Sequence, residues 1–252
     1  MGGPGIPRRV ATGAAYGRRM ELVLIRHGQP EWVVDGHNRN DPALTARGRA
    51  QADRAAARIA DPTEEPADGP VDHLLVSPAR RARETAAPVA AALGLEAVVH
   101  DWLLELQMPD DWDDSPIEVV EQAFAAQRDW PRERWWDGLE GAESLRDFHD
   151  RIVTGAEATF ATMGVTPAAE PGLWDVADDA PGRVVAVAHG GTNSTLVAHL
   201  LGVEKEPWDW ERFRMGHASV AVLQTTPLAG AAIWSLRGLG DAAHLPRDER
   251  TA

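Results

Sequence analysis

The chain has 252 residues, 25% charged and 44% hydrophobic, with a formal charge of −14. That length suits one α/β core or at most two small domains, and the acidity argues against a nucleic-acid binder, which needs a basic face. The absence of cysteine removes disulfides, Cys-ligated zinc and thiolate nucleophiles. Residues 1–19 contain Gly, Pro and four arginines but no apolar core of a signal peptide. They are expected to be a disordered extension, or a stretch upstream of a translation start at Met20. The strand candidate 21–26 is continuously apolar from Leu22 to Ile25, the pattern of a buried parallel strand, and it delivers Arg26-His27-Gly28. A helix is predicted over about 45–60 with Thr45 as N-cap, followed by the loop DPTEEPADGP at 61–70. A strand at 71–76 leads into a helix from Pro78 to Leu93, closed by Gly94. A short strand at 96–100 follows. The region 101–142 is irregular and rich in tryptophan, and reads as an insertion. A long amphipathic helix then runs to Gly164, with a loop at 166–182. The second continuous apolar run, 183–189, delivers His189-Gly190-Gly191, and a helix follows from Thr192 to Gly202. Strands at 218–223 and 231–235 and a tail after Leu245 complete the chain.

Alternating strands and helices imply a three-layer α/β sandwich, a mostly parallel central sheet with helices on both faces. No apolar stretch is long enough to span a bilayer, and a cytoplasmic protein with no membrane partner is expected. In open α/β sheets ligands gather at the carboxyl ends of the strands. Two histidines brought to one such edge, His27 beside Arg26 and His189 beside Gly190, point to a pocket for an anionic group. The bland alternative for either is a buried structural imidazole. The remaining histidines show no metal-ligand spacing, and neither a P-loop nor a serine nucleophile elbow is present. The tryptophans of 101–142 have two readings: core of the insertion, or an aromatic lid over a substrate's organic part.

Five blocks occur in order: R-H-G-Q-P-E-W at 26–32, S-P-A-R-R-A-R-E-T-A at 77–86, D-W-L-L-E at 101–105, G-A-E-S at 141–144 and H-G-G at 189–191. With Leu44-Thr45, Gly48, Gln51-Ala52 and His244-Leu245, they resemble the histidine phosphatase (phosphoglycerate-mutase-like) superfamily from Met20 to about Leu245. The resemblance implies a phosphatase domain over 20–245, with 101–142 as a lid-like insertion over the active-site edge and 246–252 as a tail. It implies His27 as the nucleophile forming a phosphohistidine, and Arg26, Arg81 and His189 as the phosphate clamp, aided by backbone near Gly190. Glu105 matches the family's acid position, although Asp101, Asp110, Asp111 and Asp113 lie close by. Gln29 is a further candidate phosphate contact. Arg80 and Arg83 are expected on a solvated helix face. Where mutases of the family carry R-H-G-E-S-x-W-N, this chain has Gln29, Pro30, Trp32 and Val33. A metal-independent phosphatase without cofactor, acting on a small phosphomonoester, is therefore expected. A mutase-type phosphotransferase and a non-catalytic phospho-ligand module are the alternatives, and a homodimer is left open.

Overall fold

The computed structural model describes residues 19–61, 63 and 69–252. Residues 1–18 of the expected 1–19 extension and most of the 61–70 loop lie outside the described residues. In chain order the elements are β1 (Glu21–Arg26), the short hairpin β2 (Val33–Val34) and β3 (His37–Asn38), α1 (Ala46–Ala60), β4 (His73–Val76), α2 (Arg80–Leu93) and β5 (Ala97–Val99). Next come α3 (Ile117–Gln127), α4 (Arg132–Asp137), α5 (Leu145–Thr162), β6 (Val165–Pro167), β7 (Trp174–Val176) and β8 (Arg183–Ala188). The chain finishes with α6 (Gly190–Leu200), α7 (Asp209–Arg212), β9 (Val220–Leu228) and β10 (Ala231–Asp241).

Eight strands form one sheet in the order β5-β4-β8-β1-β9-β10-β7-β6. The block β5-β4-β8-β1 is parallel throughout, and β9 to β6 extend it antiparallel. β1 lies at the centre, paired with β8 from Glu21↔Arg183 to Arg26↔Ala188. Strand alternation splits the core into two layers. Leu22, Leu24, Val184, Ala186 and Ala188 pack with Phe148, Ile152 and Phe160 of α5 and Leu196 of α6. Val23, Ile25, Val185 and Val187 pack on the other face with Ala55 and Ile59 of α1 and Ala82, Ala86 and Val89 of α2. This double burial is why both strands read as unbroken apolar runs.

Local signals set several boundaries. The Thr45 side chain accepts from the Gly48 N–H at 2.9 Å, capping α1. Gly94 closes α2 in the left-handed region at φ 65°. Other expectations need correction. α6 begins at Gly190, two residues earlier than expected, because the chain turns helical as soon as it leaves β8. The segment 166–182 is no simple loop: most of β6 and all of β7 fall there, and they form a hairpin anchored by Trp174, which is buried against Trp234 and His199. β10 runs on to Asp241, past register shifts at Gly238. The tail after Leu245 is held too, since the Gln51 amide donates to Glu249 O (2.6 Å) and Thr251 Oγ1 (3.0 Å).

Candidate active site

The site lies where β1 and β8 end side by side. The His27 N–H donates to Ala188 O at 2.9 Å, so parallel pairing continues one residue beyond β1. This brings the two imidazoles together, with ring centroids 5.1 Å apart. His27 is 2% exposed and His189 is fully buried. Nδ1 of His27 lies 2.8 Å from Gly28 O, and a carbonyl only accepts, so Nδ1 carries the proton and Nε2 keeps its lone pair. Nε2 of His189 lies 2.8 Å from the Ser77 hydroxyl, which also accepts from the Ala79 N–H at 3.3 Å. With the hydroxyl proton directed at Nε2, Nδ1 of His189 is left as a donor. Burial, then the neighbouring imidazole and the Arg81 and Arg26 guanidiniums, hold His27 far below the ordinary histidine value. Burial, Arg81 and Arg26 do the same to His189. Both rings are neutral at neutral pH.

Two guanidiniums face this pair. Arg26 donates from Nη1 to Met215 O (2.6 Å) and from Nη2 to His217 Nε2 (3.3 Å). Arg81, on the first turn of α2 and 5% exposed, lies over the Trp32 ring at 4.7 Å and 3.6 Å from Asp41. Arg26 Nε, Arg81 Nε and His189 Nδ1 are all buried without a hydrogen-bond partner among the described residues. Buried donors are rarely left unpaired, so this convergence marks a place prepared for an anion's oxygens. The first turn of α6, opening at Gly190, adds its dipole.

Glycines make the loop beneath His27 possible. A Cβ on Gly28 would lie 2.4 Å from Gly48 O, and one on Gly48 would lie 2.1 Å from Gln29 O. The loop therefore crosses the start of α1 backbone on backbone. Gly28 N–H donates to Thr85 Oγ1 (3.0 Å) and Gln29 N–H to Gln51 Oε1 (2.8 Å). The Gln29 side chain accepts from the Thr45 hydroxyl at 3.1 Å, so it is tied to the start of α1.

Glu105 Oε2 accepts from the Gly191 N–H at 2.9 Å and shares a cavity wall with Arg26 and Gly190. Of the five carboxylates weighed from sequence, it is the one on this wall. Asp113 accepts from the Asn40 N–H and, with Asp110, lines a separate depression. Asp101 is exposed at the start of a short turn, and Asp111 is also exposed. Arg151 holds the Glu105 turn: it donates to the carbonyls of Trp102 (3.1 Å) and Leu104 (3.1 Å) and pairs with both oxygens of Glu143 (2.8 and 2.7 Å). Arg80 lies outside the site, paired with Glu84, and Arg83 is exposed.

Sequence reasoning missed His217, Ser77, Thr85 and Arg151. His217, whose ring centroid is 5.6 Å from that of His27, accepts from Arg26 and donates to Thr251 Oγ1 at 2.9 Å. Burial and Arg26 lower its pKa to about 3. The adjacency of His217 to the strand 218–223 was its sole signal. Among the described residues, no group of three or more His, Cys, Asp or Glu is placed to hold a metal ion, and no helix is long and apolar enough to cross a membrane.

A mixed α/β sheet thus presents two neutral imidazoles and two guanidiniums at one edge, an arrangement suited to binding an anionic group. The sequence profile of the histidine phosphatase superfamily (branch 1) matches residues 22–233, and the chain belongs to that family. It is 24% identical over 237 residues to an Escherichia coli O1:K1 protein named as a probable phosphoglycerate mutase, GpmB, covering 90% of this chain and 95% of that one. Among solved structures, it is similar to mycobacterial hydrolase 2 (TM-score 0.66, 27% identity, 92% and 94% of the two chains). It is also similar to the mycobacterial glucosyl-3-phosphoglycerate phosphatase (TM-score 0.63, 27% identity, 89% and 100%).

Proposed function

We propose that the protein is a phosphomonoesterase that works through a phosphohistidine on Nε2 of His27. The carrying observation is the Nε2 lone pair of His27 beside two buried, unpartnered guanidinium donors, Arg26 Nε and Arg81 Nε, and the buried, unpartnered Nδ1 of His189. Nε2 attacks phosphorus as the ester P–O bond breaks in line. Charge on the equatorial oxygens is taken up by the guanidiniums, His189 and the N-terminus of α6. Glu105 gives its proton to the leaving alkoxide. The resulting carboxylate then takes a proton from the water that attacks the phosphohistidine, releasing phosphate and restoring both groups. In this scheme the charge-neutralising role falls to side chains, with no step assigned to a metal. A mutase reading has the relative GpmB in its favour, but Gln29, Pro30 and Val33 stand where the mutase pattern has Glu, Ser and Asn.

The test is release of phosphate from alkyl phosphates with chelator present, together with trapping of an acid-labile phosphoenzyme. Activity and trapped label should both disappear in His27→Ala. Exchange of phosphate between substrates without net release would instead establish a mutase. Retained ligand binding with no turnover would establish a binding module.

A further inference from the structure

A cavity of about 1080 Å³ opens directly off the catalytic centre, sharing Arg26, Glu105 and Gly190 with it. Its upper walls come from two separated chain segments: Trp130 and Trp135 beside α4, and Trp208 and Trp210 beside α7, with Phe124 of α3 near the mouth. The Trp135 ring packs edge-on to Trp208 at 5.8 Å and tilted to Trp210 at 6.2 Å. A bidentate ion pair fastens the two walls, with Arg132 Nε and Nη2 donating to Glu206 at 2.8 and 2.9 Å.

The tryptophans divide into two groups. Trp102, Trp112 and Trp136 are core, each 7–8% exposed, and Trp102 donates from Nε1 to Thr159 Oγ1. The four on the cavity wall are half-buried, and Phe124 is 40% exposed. Half-buried aromatic side chains around a concavity, next to a reactive centre, are the usual mark of a ligand site, even with the Arg134 guanidinium stacked 3.9 Å over one face of Trp130. The volume lies just above the range that encloses a drug-sized molecule, roughly 300–1,000 Å³. An ester of a two- or three-carbon alcohol would leave most of it filled with water against apolar rings.

We infer that the substrate is a phosphate monoester of a bulky, aromatic or extended apolar alcohol, whose body occupies the Trp130–Trp135–Trp208–Trp210 chamber while the phosphate sits at His27. This rests on the phosphatase reading and narrows it. Arg128 is exposed on the cavity wall and Arg214 lies 3.8 Å from Glu211 on the same wall, so the outer rim carries two guanidiniums against one carboxylate and tolerates an additional anionic group at the far end of the body.

The experiment compares ethyl phosphate with 2-(2-naphthyl)ethyl phosphate, two primary alkyl esters with similar leaving groups. The naphthyl ester is expected to show kcat/KM higher by at least about 100-fold, mostly through KM, because its ring system leaves water. Trp135→Ala, and independently Trp208→Leu, which stays apolar but loses the indole, should each shrink that preference by about tenfold or more. Calorimetric binding of the two esters to His27→Ala protein separates the two layers of the argument. Equal turnover and equal binding of both esters would overturn the substrate class while leaving a phosphatase. Tight binding of the naphthyl ester alone, with neither ester cleaved by the wild-type protein and no phosphohistidine trapped, would overturn the phosphatase reading while sustaining the chamber's preference.

Discussion

Gly48→Ala tests the backbone crossing under His27, the proposed nucleophile. The added Cβ would stand 2.1 Å from Gln29 O and 2.9 Å from Gln29 N, both of them backbone atoms that no rotamer change can move aside. An unstrained C···O contact is about 3.3 Å, so the loop and α1 must separate by about 1.2 Å. That shift stretches the Thr45 N–H to Gln29 O bond (2.9 Å) and the Gln29 N–H to Gln51 bond (2.8 Å), and displaces His27 with them. Overpacking of this kind costs about 1–3 kcal/mol. For a domain of this size it lowers Tm by roughly 2–4 °C per kcal/mol, so by about 2–12 °C in all. Misplacing a reacting group by ~1 Å costs about 10²-fold in rate. Calorimetry and kcat/KM on an alkyl phosphate should therefore both fall, the second far more than stability alone accounts for. Gly238→Ala is the control: its Cβ would meet nothing within 4 Å, and Tm should hold to within about 1–2 °C. A Gly48→Ala protein with unchanged Tm and kcat/KM within twofold of wild type would refute the crossing as drawn.

Glu105→Gln keeps an acceptor for the Gly191 N–H but loses the transferable proton. Phosphorylation by alkyl esters should slow by about 10²–10⁴-fold, while single-turnover phosphorylation by an aryl ester with a good leaving group should change little. Equal slowing of both would remove Glu105 as the acid. Arg151→Met strips the carbonyls of Trp102 and Leu104 of their donor and leaves the mostly buried Glu143 carboxylate unpaired. Chemical unfolding should show a loss of about 2–3 kcal/mol, and Glu105-dependent turnover should drop with it. The buried imidazoles set a pH dependence of stability. The pKa of His217 is lowered to about 3, and those of His149 and His244 to about 4, each chiefly by burial. As pH falls below about 6.5 the unfolded chain gains protons that the fold refuses. Stability is therefore full above that point and declines towards pH 3–4, at most about 1.4 kcal/mol per pH unit for His217 and less for the better-solvated His149 and His244. Urea midpoints at pH 7, 5.5 and 4.5 should fall in that order, and a flat profile would contradict the buried neutral rings.

Much of the architecture near the site was readable because the physics there is local. β1 and β8 announce themselves as unbroken apolar runs, since both faces of each are covered by helices. Thr45 and Gly94 carry their capping chemistry in their side chain, or in the lack of one. The β6–β7 hairpin was not readable, because its three-residue strands present only Val165 and Trp174 as buried residues. The same holds for the extension of β10 through Gly238, where the ladder shifts register. His27, Arg26, Arg81 and His189 stand in recognisable surroundings, whereas His217 enters the site through contacts with Arg26 and with Thr251, 34 residues further on. The aromatic wall was half visible: Trp130 and Trp135 drew attention inside the insertion, but their partners Trp208 and Trp210 lie over 70 residues away in the sequence.

The reactive ring hangs from the middle strand of an eight-stranded sheet, and the aromatic chamber is assembled from peripheral pieces clasped by Arg132 and Glu206. In the proposed scheme chemistry and choice are thereby lodged in different parts of the fabric. The walls are free to be re-cut for another cargo without disturbing the beam that carries His27, and exchange of amide protons in β1 should be among the slowest in the molecule even where the chamber breathes.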